Sequence, residues 1–274
     1  MITTIQESPN DVAERLTGRN YVSWSAINAY RSCPLRYYYR YIEQLPEQTV
    51  SSALVFGSAI HGAIEFWFRE RLAGNPDPDL DLLLDAYQAE WQDRDISSIK
   101  FGKKEDVSSL GDLAERMLTA FMQNDAARPD GQILGVEEQL QESVIEDCPD
   151  LLARLDLLIE ADDAVVVTDF KTSRSRWSQE QANQAGEQLL LYSELVKHFV
   201  PAKPLRLEFV VLTKTKTPSI ETYRVAVEQQ RVDRSRKTVE QVWRGIESGL
   251  FFPSPSMMNC PNCAFREPCQ TWCG

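Results

Sequence analysis

Two stretches in the middle of the chain, LLARLDLLIE (151–160) and AVVVTDFK (164–171), are short, rich in Leu, Ile and Val, and each broken by a carboxylate. Their length and β-branched content predict strands. Together with Ile133 to Val144 they predict a three-strand meander, separated by Asp- and Pro-containing breaks. Side chains alternate across a strand, so Asp169 and Lys171 share a face while Phe170 takes the other. Asp156 sits in the middle of an apolar run, where a carboxylate is costly without a partner or a metal.

The rest of the chain must cover this sheet. Helical spacing predicts a helix capped by Ser25 and running to about Ile42, a second over Phe56 to Leu72, and two more over 80–93 and 109–124. Residues 179–199 and Glu228 to Ser248 read as helices, and Leu205 to Leu212 and Ser219 to Val227 as strands. Residues 1–20 are polar and read as loosely held, and the tail from 250 to 274 as loop. The expected class is therefore α/β or α+β, a mainly antiparallel sheet core with a helical insertion at 80–124. With 274 residues, 43% of them hydrophobic, one elaborated domain over 1–274 is expected. No apolar run approaches the roughly 20 residues of a membrane span, and the first residues do not resemble a signal peptide, so a cytoplasmic chain is expected.

Two carboxylates on adjacent strands beside one lysine suit a hard divalent cation with a cationic helper. Phosphodiester hydrolysis needs this arrangement: the cation polarises a phosphoryl oxygen, and Lys171 orients or deprotonates water or stabilises developing charge. His61 lies in GSAIHGAIEFW, among small residues that permit close approach. Gln188 and Tyr192 lie four apart, on one helix face. Of Glu137 and Glu138, alternation sends one inward as a third acid. The net charge of −12 excludes a simple cationic nucleic-acid coat but not a local basic groove. Arg36 and Arg40, set among Tyr37, Tyr38, Tyr39 and Tyr41, are candidates to hold a single strand.

Four of the six cysteines, Cys260, Cys263, Cys269 and Cys273, fall in the last 15 residues. This clustering reads as metal binding rather than a disulfide framework. The fourth ligand is Cys273 or the distant Cys33, and spacing leaves zinc and iron–sulfur both open.

The ordered set His61, Glu137, Asp156, Asp169-Phe170-Lys171, Gln188 and Tyr192 resembles the PD-(D/E)XK nuclease superfamily. It is most similar to the RecB-like branch, with its G-x-x-x-H, x-x-x-D, D-[FY]-K and Q-x-x-x-Y elements, over roughly residues 23–273. The resemblance implies a restriction-endonuclease-like central mixed sheet flanked by helices. It also implies His61, Asp156, Asp169 and the Phe170 carbonyl as ligands of Mg²⁺ or Mn²⁺, and Lys171 as catalytic. Gln188 and Tyr192 would contact DNA or order the site, with Glu137 as the assisting acid. Ala153 stands where the family usually has Gly, and Asp169 where many relatives carry Glu. Cys33, Cys260, Cys263 and Cys269 match the iron–sulfur variant of this branch, as in AddB-type subunits and CRISPR-associated exonucleases. That implies a [4Fe–4S] cluster pairing the tail with the Cys33 helix, and leaves Cys148 and Cys273 as spectators. The implied activity is a DNA exonuclease acting on single strands or free ends, with helicase or CRISPR adaptation proteins as possible partners. The competing readings are a non-catalytic DNA-end or helicase-binding module and a zinc-stabilised nucleic-acid-binding protein.

Overall fold

A computed structural model describes residues 7–92, 94–200 and 203–273. The chain runs α1 (Pro9–Thr17), β1 (Tyr21–Ser23), α2 (Trp24–Ser32), α3 (Pro34–Tyr37), β2 (Val50–Ser51), α4 (Ser52–Leu72), α5 (Leu80–Gln92), β3 (Ile99–Lys100) and α6 (Val107–Met122). It continues with β4 (Gln132–Glu142), β5 (Asp150–Glu160), β6 (Val165–Ser173), α7 (Gln179–Ala185), α8 (Glu187–Phe199), β7 (Leu205–Thr213), β8 (Ile220–Val225), α9 (Gln229–Glu247) and α10 (Arg266–Gln270). β1, β5, β6, β7 and β8 follow one another in a mixed sheet, with β4 paired to β5. The three expected strands do form an antiparallel meander. β6 and β7 are parallel, which requires a crossover, and α7 and α8 supply it.

Several elements differ from the sequence expectation for local reasons. Residues 9–17 are helical, not loose: Pro9 starts the helix, Ser8 and Asp11 form a capping box, and Gly18 closes it at φ 71°. The helix expected to run to Ile42 is capped by Ser23 rather than Ser25 and stops at Ser32, because Pro34 lacks an N–H and clashes with the preceding turn. Cys33 sits extended at that break, and the chain resumes as α3 followed by one wide helical turn over Tyr38–Ile42. The helix expected over 179–199 is two helices that meet at Gly186. β1, β2 and β3 are too short to leave a period in the sequence.

Helices cover both sheet faces. On one, α1, α2, α8 and α9 pack on Val165, Val167, Leu207, Phe209 and Val211. On the other, α4, α5 and α6 pack on Leu157, Ile159, Val166, Phe170, Val210 and Leu212. The insertion over 80–124 is thus a layer on α4, with Leu83, Tyr87, Leu118 and Phe121 buried in it.

The sheet also forks. β6 pairs with β7 along its whole length, from Val165 to Ser173. It pairs with β5 only from Val165 to Thr168, against Leu157–Glu160. β1 takes the other end of that β5 edge, at Asp150–Leu152. Between these partners residues 153–156 of β5 have no strand on that edge. β5 twists as it leaves: Leu157 and Ile159 pack in the α4 layer, while Leu151, Ala153 and Leu155, on the same pleat side, pack in the opposite one.

Gly186 permits the α7–α8 junction. A Cβ there would lie 2.6 Å from Val225 Cγ1 on β8. We expect Gly186→Ala to cost about 1–3 kcal/mol through overpacking. Thermal melts should show this as a lower Tm, and Gly186→Ala with Val225→Ala should regain part of the loss.

Candidate active site and cysteine cavity

The fork is where the acids meet. Asp156 leaves the apolar run of β5 just past its last pairing with β6, and Asp169 stands at the matching point of β6. The Phe170 N–H donates to Asp156 Oδ2 at 2.8 Å, closing the throat of the fork. The Phe170 ring points away, into the core against Phe68 and Phe121. Lys171 Nζ lies 2.6 Å from Asp169 Oδ2, as alternation requires.

α4 brings the histidine. Its apolar residues recur at helical spacing and bury one face, with Phe56, Ile60, Ala63 and Trp67 fully covered. A Cβ at Gly57 would lie 3.4 Å from Thr172 Oγ1, an ordinary contact, so α4 packs on β6 here without needing a glycine. His61, one turn on, reaches Asp156 Oδ2 with Nδ1 at 3.4 Å.

β4 brings the third acid. Glu137 faces inward and Glu138 is exposed. Glu137 adopts φ 54°, a left-handed conformation costing a residue with a Cβ about 1–3 kcal/mol. Its carboxylate meets Arg154, which the sequence reading did not single out. The available signal was that Arg154 lies two residues before Asp156, on the same face of β5.

His61, Glu137 and Asp156 each offer a ligand atom, all within 4.8 Å of one another. Asp169, expected among the ligands, is turned towards Lys171 instead and stands beside this group rather than in it. Its Oδ2 is buried and has no well-aligned hydrogen bond. Burial and the neighbouring Asp169 raise the Asp156 pKa well above its ordinary value. Burial pushes the His61 imidazole down, and burial also raises Glu137 against the pull of Arg154. Burial alone would lower the Lys171 ammonium, but Asp169 and Asp156 outweigh it and hold the pKa above normal. Three buried or half-buried acids, Glu137, Asp156 and Asp169, set against one lysine and one arginine are a surplus of carboxylate that fits a hard divalent cation. Gln188 donates to the Tyr192 hydroxyl at 3.1 Å, and burial pushes that phenol up to about 12. Both side chains line the cleft with Lys171.

The remaining expected residues lie elsewhere. Cys33, Cys260, Cys263 and Cys269 line one cavity of about 240 Å³. Ser254 N–H and Ser256 N–H donate to Cys33 and Cys260 Sγ at 3.4 and 3.2 Å. Tyr30 and Tyr39 hold the tail through hydrogen bonds to the Leu250 and Pro268 carbonyls, at 2.8 and 3.1 Å. Tyr37, Tyr39 and Tyr41 are buried, so these rings pack rather than face solvent. Arg36 lines the cysteine cavity and Arg40 pairs with Glu47 at 3.1 Å; neither lines the cleft that holds Asp156 and Lys171. Cys148 is buried in the core, and Cys273 is exposed outside the cavity.

The family model for the PD-(D/E)XK nuclease superfamily matches residues 21–270. The chain belongs to this superfamily. No curated protein matches it. Among solved structures it is similar to a protein from Eubacterium rectale described as a "Putative exonuclease", at 15% identity and TM-score 0.59, covering 99% of this chain and 93% of that one. The central mixed sheet flanked by helices is thus the fold of this superfamily. A second structure, SSO0001, aligns at 14% identity and TM-score 0.37 over 80% of this chain and 84% of that one, too loosely to bear on the fold. Among the described residues no helix is long and apolar enough to cross a membrane.

Asp156→Asn keeps the acceptor for Phe170 N–H and removes one of two buried like charges. In EDTA the variant should melt above the wild type, and added Mn²⁺ should no longer raise its Tm. The sign follows from the raised folded-state pKa: the ionised form is disfavoured by folding, so the wild-type penalty is absent at low pH. It grows as pH climbs from the ordinary 3.8 through the raised value. The gap between variant and wild type, followed by melts across pH, should therefore widen upward.

Proposed function

We propose that the chain is a divalent-metal-dependent DNA exonuclease of the RecB-like branch, acting on single-stranded or end-opened DNA. One observation carries the reading: His61, Glu137 and Asp156 converge within 4.8 Å at the fork, with the Asp169–Lys171 pair beside them. The likeness to the Eubacterium rectale protein supports the exonuclease part. The complete acid, histidine and lysine set favours catalysis over a module that only binds DNA ends or a helicase. DNA repair, recombination, phage replication and CRISPR spacer processing are the settings such an enzyme fits, in the cytoplasm, with a helicase or adaptation proteins as partners.

His61, Glu137 and Asp156 would hold the Mg²⁺ or Mn²⁺, with Asp169, paired to Lys171, as the further ligand the resemblance implies. When bound, the cation supplies Lewis acidity and neutralises charge at the phosphodiester. The protein groups do the rest. The Phe170 amide fixes the Asp156 carboxylate, and His61 Nδ1 stands 3.4 Å from the same carboxylate. Lys171, held as an ammonium by Asp169, is a donor; it stabilises negative charge on the attacked phosphate and can give a proton to the leaving oxygen. Gln188 and Tyr192, bonded to each other, wall the cleft and orient the substrate strand. Glu90 of the helical insertion reaches the rim, which supports a role for 80–124 in limiting entry to free ends.

The cysteine cavity supports a [4Fe–4S] cluster over zinc. Cys33, Cys260, Cys263 and Cys269 line one cavity, and the other three thiols act on Cys269, an arrangement suited to one shared all-thiolate centre. The resemblance of the cysteine pattern to the iron–sulfur variant of the RecB-like branch favours the cluster. Such a cluster would join residue 33 to residue 260 and beyond, closing a loop of most of the chain, and so serve first as a staple.

Lys171→Ala and Asp169→Ala should each lower Mg²⁺- or Mn²⁺-dependent cleavage of end-labelled oligonucleotides by at least about 100-fold while leaving the circular dichroism spectrum unchanged. Normal rates in both would remove the site assignment. Linear DNA should be degraded and closed circles spared; equal rates would exclude end-gated entry. Protein purified without oxygen should be brown, absorbing near about 400 nm. Cys260→Ser should bleach it and lower its Tm, whereas colourless, zinc-bearing wild type would refute the cluster.

A further inference from the structure

The catalytic cleft does not end at the catalytic residues. Its cavity is about 700 Å³, and a second groove of about 760 Å³ lies against it. The two share Arg154, Lys171, Gln188 and Tyr192 as a common wall, so a polymer lying across the site runs from one into the other. Their charges differ. Beyond the shared wall, the described lining of the catalytic cleft adds acids and no Lys or Arg; two of those acids, Glu65 and Glu90, pair with Arg69 and Arg94 outside the lining. The neighbouring groove adds Arg19 and Arg31 against a single acid, Glu187, and carries Tyr21 and Trp24 on its surface.

We propose that this groove, resting on the nuclease reading above, is the site that grips single-stranded DNA, with Trp24 as a base-stacking platform and Arg19 and Arg31 as phosphate contacts. A cationic groove interleaved with aromatic rings is the arrangement that holds single strands without reading their sequence. Arg31 is already posed: its guanidinium lies 5.7 Å from the Trp24 ring centroid and pairs with Glu187 at 2.5 Å. That ion pair is exposed, and exposed pairs are weak, so a phosphate can displace the carboxylate. Arg19 is placed likewise, 5.6 Å from the Tyr41 ring centroid. Of the two cavities only this groove adds cations to the shared wall, so the gripped length of strand lies on the Trp24 side of the catalytic residues. This assigns strand holding to Trp24, Arg19 and Arg31 in place of Arg36 and Arg40, which line neither cavity.

The test separates holding from chemistry. Binding of fluorescein-labelled oligothymidylate is read by anisotropy with Ca²⁺ replacing Mg²⁺, on wild type, Trp24→Leu, Trp24→Phe and Arg31→Gln. Hydrolysis of bis(p-nitrophenyl) phosphate with Mn²⁺ is read in parallel, because that small diester needs the catalytic centre and not the groove. Trp24→Leu and Arg31→Gln should each weaken oligonucleotide binding about tenfold. Trp24→Phe should restore most of it, and all variants should cleave the small diester at the wild-type rate. Unchanged affinity in Trp24→Leu and Arg31→Gln would overturn the groove, as would equal affinity of the wild type for a blunt duplex. Loss of binding in Trp24→Phe equal to that in Trp24→Leu, with a lowered Tm, would also overturn it, since stacking would then not be the cause. A wild type that binds the oligonucleotide but cleaves neither substrate would instead remove the nuclease reading, and leave the groove judged by binding alone.

Discussion

One main-chain hydrogen bond, from the Phe170 amide to the Asp156 carboxylate, stands where the sheet divides. β5 and β6 pair for four residues and then separate, so the edge groups freed at the fork need other partners. The Phe170 amide finds the Asp156 side-chain oxygen, and His61 Nδ1 lies 3.4 Å from that same oxygen. A solvated pocket thereby opens inside a sheet that helices cover on both faces. Two carboxylates can be placed there because the fork admits a cation and water where a continuous sheet would admit neither.

The site is held in a state of unrelieved charge. Asp156 and Asp169 repel, burial penalises both, and Lys171 answers only one of them at 2.6 Å. Glu137 adds a third acid from a strained backbone position, matched from outside by Arg154. Such an arrangement costs folding stability, a cost that a bound cation would offset. The cost is carried by the two apolar layers, one on each side of the sheet, which contain the largest buried side chains, including Trp67, Trp243, Phe56, Phe121 and Phe209. The cysteine-lined cavity lies apart from this site, where the tail meets the break at Cys33–Pro34. Its aromatic neighbours Tyr39 and Phe265 are core residues, so the arginine- and tyrosine-rich segment that looked like a strand-binding surface is largely an internal clamp on the tail.

Much of the site was legible because its residues obey local periods. Alternation put Asp169 and Lys171 on one face of β6, and the four-residue step put Gln188 and Tyr192 on one face of α8. Lone charges in apolar runs marked Asp156, since burial without a partner is costly. The division of labour among the acids was not legible. Glu137 lies within the ligand group and Asp169 beside it, and this follows from a left-handed residue in β4 and from the reach of Lys171. Neither leaves a mark in the residue pattern. Arg154 escaped notice because an arginine on a strand reads as a solvated edge until the opposing Glu137 is in place.

The sequence by itself determined the five long strands of the sheet, most of the helices that cover it and the identity of the charged groups that could do chemistry. These follow from side-chain period and from the cost of burying charge, both of which act along a few consecutive residues. Tertiary structure alone decided where β6 parts from β5, how α4 brings His61 to Asp156, and that the basic groove at Arg19, Trp24 and Arg31 adjoins the wall of Arg154, Lys171, Gln188 and Tyr192. The last two relations join segments far apart in the chain, and only packing of the two helix layers against one twisted sheet can set them.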